Sequence, residues 1–400
     1  MTLRGRAVVA ASCAALVTLP AAVARAGTAT TEQHAGRNVR VFVPTKPAAP
    51  APLVVMLHGC TQTPDAFADA TKMDEVAEEA GFVVAYPEEP PSAIASRCWQ
   101  WWEPAHQARD AGEPKLLATI VDGVVAAHGV DKDQVYAAGI SAGGAMTVIL
   151  GATYPDRFAA VGVLAGLEYK AATTLSAALS ASSQGGPSPA AQGALAHAAM
   201  GSRARVVPAF VLHGSADSVV AKVNGDQVAA QWLHVAGVVL GEGAIERGSA
   251  VPGEDGRPFT RVVHRNKGNG AAIVEHFVVE GLGHAWPGGR DGGSYSDPRG
   301  PDASRLLWSF FRGRRVTAPL DVPPAPATPG PGAPAPSPGS EKGGGATSSA
   351  DAASPANGES SSSCAARPPH GDAAPSSASI LALALAAVLG MRRGKRAGRP

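Results

Sequence analysis

Charge and aromatic side chains are both thin in this sequence of 400 residues, and no apolar run reaches the roughly 20 residues that a helix needs to cross a bilayer. Lys and Arg number 34 against 33 Asp and Glu, so the formal net charge is only +1. That balance lacks the positive excess with which proteins hold a phosphate backbone, and it argues against nucleic acid as a partner. Histidine, cysteine and carboxylates nowhere recur at metal-ligand spacing, so neither a metal nor a cofactor is expected. Cysteine is scarce as well, with Cys13, Cys60, Cys98 and Cys364 the full set.

Glycine (47) and proline (34), by contrast, are too abundant for one compact domain throughout, so part of the chain should be linker. The first residues read as an export signal: Arg4 and Arg6, an apolar run from Ala7 to Leu19, Pro20, then Ala24-Arg25-Ala26 as a cleavage site before Gly27. A membrane anchor is the weaker reading, because the run is too short. Removal of 1–26 would take Cys13 with it. In an oxidising compartment Cys60 is then free to pair with Cys98, closing a loop worth at most about 4 kcal/mol in the chain-entropy model; two buried free thiols are the alternative.

Between about Arg37 and Arg315, short β-rich apolar runs alternate with longer helical patterns, the signature of an α/β fold with a mostly parallel sheet. Strands are expected at Val39 to Val43, Leu53 to His58, Phe82 to Tyr86, Gln134 to Gly139, Ala159 to Leu164, Val206 to His213 and Ile273 to Val279. Several are apolar almost throughout, as strands covered on both faces should be. Helices are expected at Asp65 to Ala80, Leu116 to Ala127 and Asp302 to Phe311. The stretch from Glu168 to Arg205 is rich in Ala and Ser and has no clean period, which suits a lid over a site or a plain surface excursion. The layout expected is therefore a signal over 1–26, a catalytic domain over 27–316, a disordered Pro/Ala/Gly/Ser linker over 317–363 and a tail over 364–400. That tail carries an apolar helix over 378–391, marginal as a membrane span, and ends in the cluster Arg392, Arg393, Lys395 and Arg396.

The chemistry centres on Gly139-Ile140-Ser141-Ala142-Gly143-Gly144, which follows an expected strand and opens a helical pattern. That is the setting of a nucleophile elbow, in which Ser141 is lifted clear of the sheet at a helix N-terminus. A serine nucleophile needs a base and an acid, which should follow it in the chain. Among His197, His213, His234, His264, His276 and His284, only His284 lies in a loop just past the last strand, within Gly283-His284-Ala285-Trp286. Asp217, in the loop after Val206 to His213, is the natural acid. Backbone N–H groups must meet the oxyanion, and Ala142 and Cys60 are the expected donors, with Thr61 as an alternative to Cys60. Trp99, Trp101 and Trp102 cluster after Cys98, and Trp286 follows His284; Trp286, Trp99 and Trp102 are expected to face the substrate, with core packing the alternative for each.

With Leu57-His58-Gly59-Cys60-Thr61-Gln62, Arg97-Cys98-Trp99-Gln100-Trp101-Trp102 and His213-Gly214-Ser215-Ala216-Asp217 beside the two segments above, the chain resembles the polyhydroxybutyrate depolymerase family of esterases. The resemblance spans roughly Arg37 to Arg312 and implies an α/β-hydrolase domain, a triad of Ser141, Asp217 and His284, and an oxyanion donor at Cys60. It implies an exported or surface-displayed serine esterase acting on poly(3-hydroxybutyrate) or its oligomers, or else on feruloyl or acetyl groups of plant polysaccharide. A catalytically silent surface-binding module is disfavoured by the three residues standing in order. The three-part tail resembles the sorting signals of myxobacterial surface proteins, which implies export and sorting machinery as partners and membrane contact through the tail alone.

Overall fold

In the computed structural model, which describes residues 27–317, the apolar runs join into one sheet of eleven strands. The chain begins with β1 (Thr28–His34), β2 (Arg37–Val43) and β3 (Ala51–Leu57), then α1 (Pro64–Thr71), α2 (Met73–Ala80) and β4 (Val83–Pro87). Next come α3 (Gly112–His128), β5 (Val130–Ile140), α4 (Ala142–Thr153), β6 (Ala160–Leu164), α5 (Leu175–Gln184), α6 (Pro189–Met200), β7 (Ala209–Gly214) and α7 (Val223–Leu240). The remainder is β8 (Ile245–Glu246), β9 (Val251–Asp255), β10 (Arg257–Asn266), β11 (Ala272–Val279), β12 (Trp286–Pro287), β13 (Ser296–Asp297) and α8 (Ala303–Phe311). The export signal expected over 1–26, the linker from 318 onward and the tail over 364–400 lie outside the described residues.

The main sheet runs β1-β2-β4-β3-β5-β6-β7-β11-β10-β8, with β9 on β10, while β12 and β13 pair separately. From β4 to β11 every pairing is parallel, and the antiparallel hairpins sit at the two ends. This is an α/β-hydrolase fold. The seven expected strands all appear, and the added β1 and β8 to β10 are edge elements whose residues are exposed or half-buried, so they leave no apolar run to read.

Helices cover both faces of the sheet. One apolar layer gathers Leu117, Val121, Met146, Ile149 and Trp232 from α3, α4 and α7. The other gathers Phe67, Met73, Leu307, Phe310 and Phe311 from α1, α2 and α8. The helix expected over Asp65 to Ala80 is two helices, because Lys72 adopts a left-handed conformation (φ 55°) that ends one and starts the next. On a single helix at about 100° per residue, Phe67 and Val76 would point to opposite sides. The break at Lys72 turns α2 so that Met73, Val76 and Ala77 face the core that already holds Phe67.

α8 closes that layer. The Phe311 ring stacks on Tyr136 at 4.9 Å between centroids, and the Tyr136 hydroxyl donates to the Arg314 carbonyl at 2.7 Å. Phe311 is fully buried. Phe311→Ala should therefore lower stability by about 3–5 kcal/mol, read from urea unfolding of the full chain. A loss under about 1 kcal/mol would mean that α8 is not part of the core.

Candidate active site

Ser141 stands between the last residue of β5 and the first of α4, with φ 58° and ψ −123°. A β-carbon in that region is crowded, at a cost of roughly 1–3 kcal/mol, so the surroundings must hold it there. They do so by close backbone contact. A methyl group at Gly143 would lie 2.0 Å from the Leu57 carbonyl oxygen, so the first turn of α4 presses directly on the end of β3. The Ser141 N–H donates to Leu164 O at 3.0 Å, anchoring the turn to β6 on its other side.

The loop after β3 lies beside this turn. His58 is fully buried; its Nδ1 is 2.8 Å from Gly59 O, and its Nε2 is 3.1 Å from the Glu89 N–H. Those partners fix the tautomer: Nδ1 carries the proton and Nε2 accepts. Burial is the main cause that pushes the imidazole down to about 4, with the bond to Gly59 opposing it and the charge of Arg97 adding to it. Cys60 is disulfide-bonded to Cys98, which joins this loop to the one carrying the tryptophans. The Thr61 N–H is already given to Ser96 O at 2.7 Å, so within this turn Cys60 is better placed than Thr61 to offer a free donor.

Asp217 lies three residues past the end of β7, with its carboxylate buried. Its Oδ1 accepts from the N–H groups of Val219 and Val220, both at 2.9 Å, and its Oδ2 accepts from His284 Nδ1 at 2.7 Å. Burial by itself would raise this carboxyl, yet it sits below its usual range because the bond and charge of His284, the nearby His213 and the Val220 N–H outweigh desolvation. An ionised carboxylate only accepts, so Nδ1 of His284 must be the protonated nitrogen, and Nε2 is left with a lone pair. The loop of His284 folds back across β7: Ala216 N–H donates to Leu282 O, and a methyl group at Gly214 would lie 2.2 Å from that same oxygen. Since β5, β7 and β11 run parallel, Ser141, Asp217 and His284 all lie at the carboxyl edge of the sheet.

The other histidines are placed otherwise. His213 is buried within β7, with its Nε2 2.8 Å from Val220 O, and burial, opposed by that bond and by Asp217, holds it below its usual value. His264 and His276 lie in strands, and His197 and His234 on helices.

Ser141 and Ala142 form part of the wall of an apolar pocket together with Cys60, Trp101 and Trp102. No charged side chain lines it. Of the three tryptophans expected to face a substrate, only Trp102 lines this pocket. Trp286 is buried against Phe67, and its indole N–H donates to Ser304 Oγ at 3.1 Å. Trp99 is buried beneath the loop of His58 with 5.5 Å between the rings. Both corrections share a cause: each ring fills the core below a site loop and so supports that loop from behind. Trp101 takes the wall position beside Trp102, and α5 supplies Leu175, Ala178 and Leu179 to the same wall, which no periodicity in the sequence indicated. Among the described residues no cluster of His, Cys, Asp or Glu is arranged to hold a metal ion.

A family model described as Esterase PHB depolymerase matches residues 39–254, a span that includes Ser141 and Asp217 and ends before His284. Poly(3-hydroxyalkanoate) depolymerase C of Paucimonas lemoignei is 34% identical over 254 residues, which are 62% of this chain and 59% of that protein. Feruloyl esterase B of Neurospora crassa is 29% identical over 62% of this chain and 84% of its own length. A probable acetylxylan esterase A of Neosartorya fischeri is 30% identical over 50% of this chain and 56% of its own. The chain thus spans little more than half of the first and third of these relatives. Among solved structures, an acetyl xylan esterase from Aspergillus awamori superposes with a TM-score of 0.54 at 23% identity, covering 64% of this chain and 94% of that one, a likeness of fold.

Two outcomes follow from the geometry. Reducing the Cys60 to Cys98 bond, whose partners are 38 residues apart, should lower the thermal midpoint, with an upper bound of about 4 kcal/mol; an unchanged melting curve would show that the bond carries no stability. The folded-state depression of His58 below its unfolded value of 6.5 adds stability that is complete above about pH 6.5 and is lost as pH falls toward 4. Urea titrations from pH 7.5 to 4.5 should show that decline, and His58→Gln should flatten it. An equal slope in the variant would assign the decline to other groups.

Proposed function

We propose, from the premise that this chain belongs to the esterase PHB depolymerase family, that it is an exported serine esterase whose substrate is poly(3-hydroxybutyrate) or its oligomers. The family and its relatives support carboxylic ester hydrolysis by this α/β-hydrolase fold. In this reading Ser141 is the nucleophile, His284 its general base and Asp217 the acid that orients the imidazole. The Asp217 to His284 bond at 2.7 Å carries the assignment, since it leaves a basic Nε2 at the sheet edge where Ser141 stands.

The reaction then runs in two halves. His284 Nε2 takes the proton of Ser141 Oγ as the oxygen attacks the ester carbonyl, and the N–H groups of Ala142 and Cys60 receive the oxyanion. Collapse expels the alcohol, which takes the proton from His284, and leaves an acyl-enzyme. Water, deprotonated by the same imidazole, repeats the sequence and frees the acid. Asp217 stays ionised throughout, as its hydrogen bonds favour.

The uncharged pocket supports a neutral acyl segment, and Trp101 and Trp102 supply flat apolar contact for it. Feruloyl or acetylxylan ester hydrolysis is the second reading, supported by the feruloyl esterase, 84% of whose length the chain spans. Export through residues 1–26, a catalytic domain over 27–316 and a sorted tail complete the proposal.

Ser141→Ala should abolish hydrolysis of soluble short-chain esters, and Asp217→Asn should lower kcat by about 10⁴-fold while the fold is kept. Acid release from suspended poly(3-hydroxybutyrate), measured beside acetylated and feruloylated polysaccharide, should be highest on the polyester. Release from the polysaccharides alone would establish the second reading instead. Full activity in Ser141→Ala would remove the nucleophile from the mechanism.

A further inference from the structure

A second histidine lies beside Asp217. His213 Nε2 is 2.8 Å from Val220 O and 3.6 Å from Asp217 Oδ2, and the side chains of His213 and Asp217 are both fully buried. A carbonyl only accepts, so Nε2 carries the proton. Burial, opposed by that carbonyl and by Asp217, holds the imidazole below its usual value, which leaves Nδ1 as an acceptor. Nδ1 is buried and has no hydrogen-bond partner.

Two features of this placement work against stability. A buried acceptor without a donor costs free energy. Gly225 stands in the first turn of α7, where glycine is a poor helix former, and a methyl group there would lie 2.6 Å from His213 Nδ1 and 2.9 Å from its β-carbon. The helix thus lacks a side chain at the point where the ring enters. An apolar side chain of similar volume would fill the space without an unpaired acceptor. What it could not supply is the Nε2–H.

That N–H acts on the loop of Asp217. Asp217 Oδ1 accepts from the N–H groups of Val219 and Val220, which face the carboxylate only while residue 220 keeps its orientation. His213 holds the carbonyl of the same residue, so Val220 is fixed at both its N–H and its C=O. The next N–H, of Ala221, donates to Ser182 O of α5 at 2.7 Å and gives the loop a further anchor. With Oδ1 occupied by the loop, Oδ2 is directed at His284 Nδ1. Val219 and Val220 line the pocket of Ser141, and His213 does not.

We propose that His213 is a positioning residue for Asp217: its Nε2–H holds Val220 so that the N–H groups of the loop aim the carboxylate at His284. This rests on the reading of Asp217 as the acid of the site and adds the group that orients it.

The test is steady-state hydrolysis of a soluble short-chain ester by the full chain and its variants. His213→Leu removes the donor, and kcat should fall by about 10²-fold, the scale of a misplaced catalytic group. Gly225→Ala should lower kcat as well, because its methyl group displaces the ring while alanine favours the helix, and it gives the answer where His213→Leu does not fold. His213→Gln returns an N–H donor and should recover most of the lost activity. In an Asp217→Asn background His213→Leu should have no further effect, since a group that acts through the carboxylate loses its influence with it. A further fall of about 10²-fold in that background would make His213 merely structural and overturn the proposal. A glutamine variant no better than leucine, or full kcat in His213→Leu, would also overturn it. Unchanged kcat in Asp217→Asn alone would remove the acid reading itself, and the proposal with it.

Discussion

Everything at the carboxyl edge of this sheet depends on backbone packed against backbone. The first turn of α4 lies on the Leu57 carbonyl so closely that no side chain fits at Gly143, and the loop of His284 lies on the end of β7 so closely that none fits at Gly214. The first contact holds Ser141 in its crowded conformation and brings the loop of Cys60 beside it. The second turns His284 back over the sheet, where Asp217 receives its Nδ1 proton. Such contacts are rigid because a carbonyl cannot rotate away as a side chain can. A site held within tenths of an ångström needs that rigidity.

Around these contacts the molecule supports its loops from beneath. Trp99 fills the space under the loop of His58, and Trp286 fills the space next to Phe67 below the loop of His284. His58 ties its loop to the one after β4 by accepting from the Glu89 N–H at Nε2, and the bond between Cys60 and Cys98 ties the same two loops again. Aromatic bulk is rare in this chain, and much of it is placed here rather than in contact with solvent.

The central strands could be read directly from the sequence, because strands covered on both faces are continuous apolar runs such as Leu53 to Leu57 and Phe210 to Leu212. The placement of Ser141, Asp217 and His284 at the sheet edge was legible for a related reason: each follows such a run, in a loop or turn dense with glycine. The break at Lys72 was not legible, since it answers to where Phe67 and Val76 must both point, which is a fact of tertiary packing. α5 and α6 also escaped, because helices built mostly of Ala and Ser carry no amphipathic period. The inward turn of Trp99 and Trp286 depends on which loop face meets the core, and neighbouring residues in the chain do not encode it.

The sheet edge holds the groups proposed to break an ester, and α5 supplies part of the uncharged pocket wall beside Ser141. The most direct test of the central claim is mass spectrometry of the full chain after brief exposure to a fluorophosphonate that esterifies activated serines. One adduct is expected, on the peptide containing Ser141, and it should be lost when His284 is replaced by alanine. An unlabelled Ser141, or an adduct on another serine that persists in that variant, would contradict it.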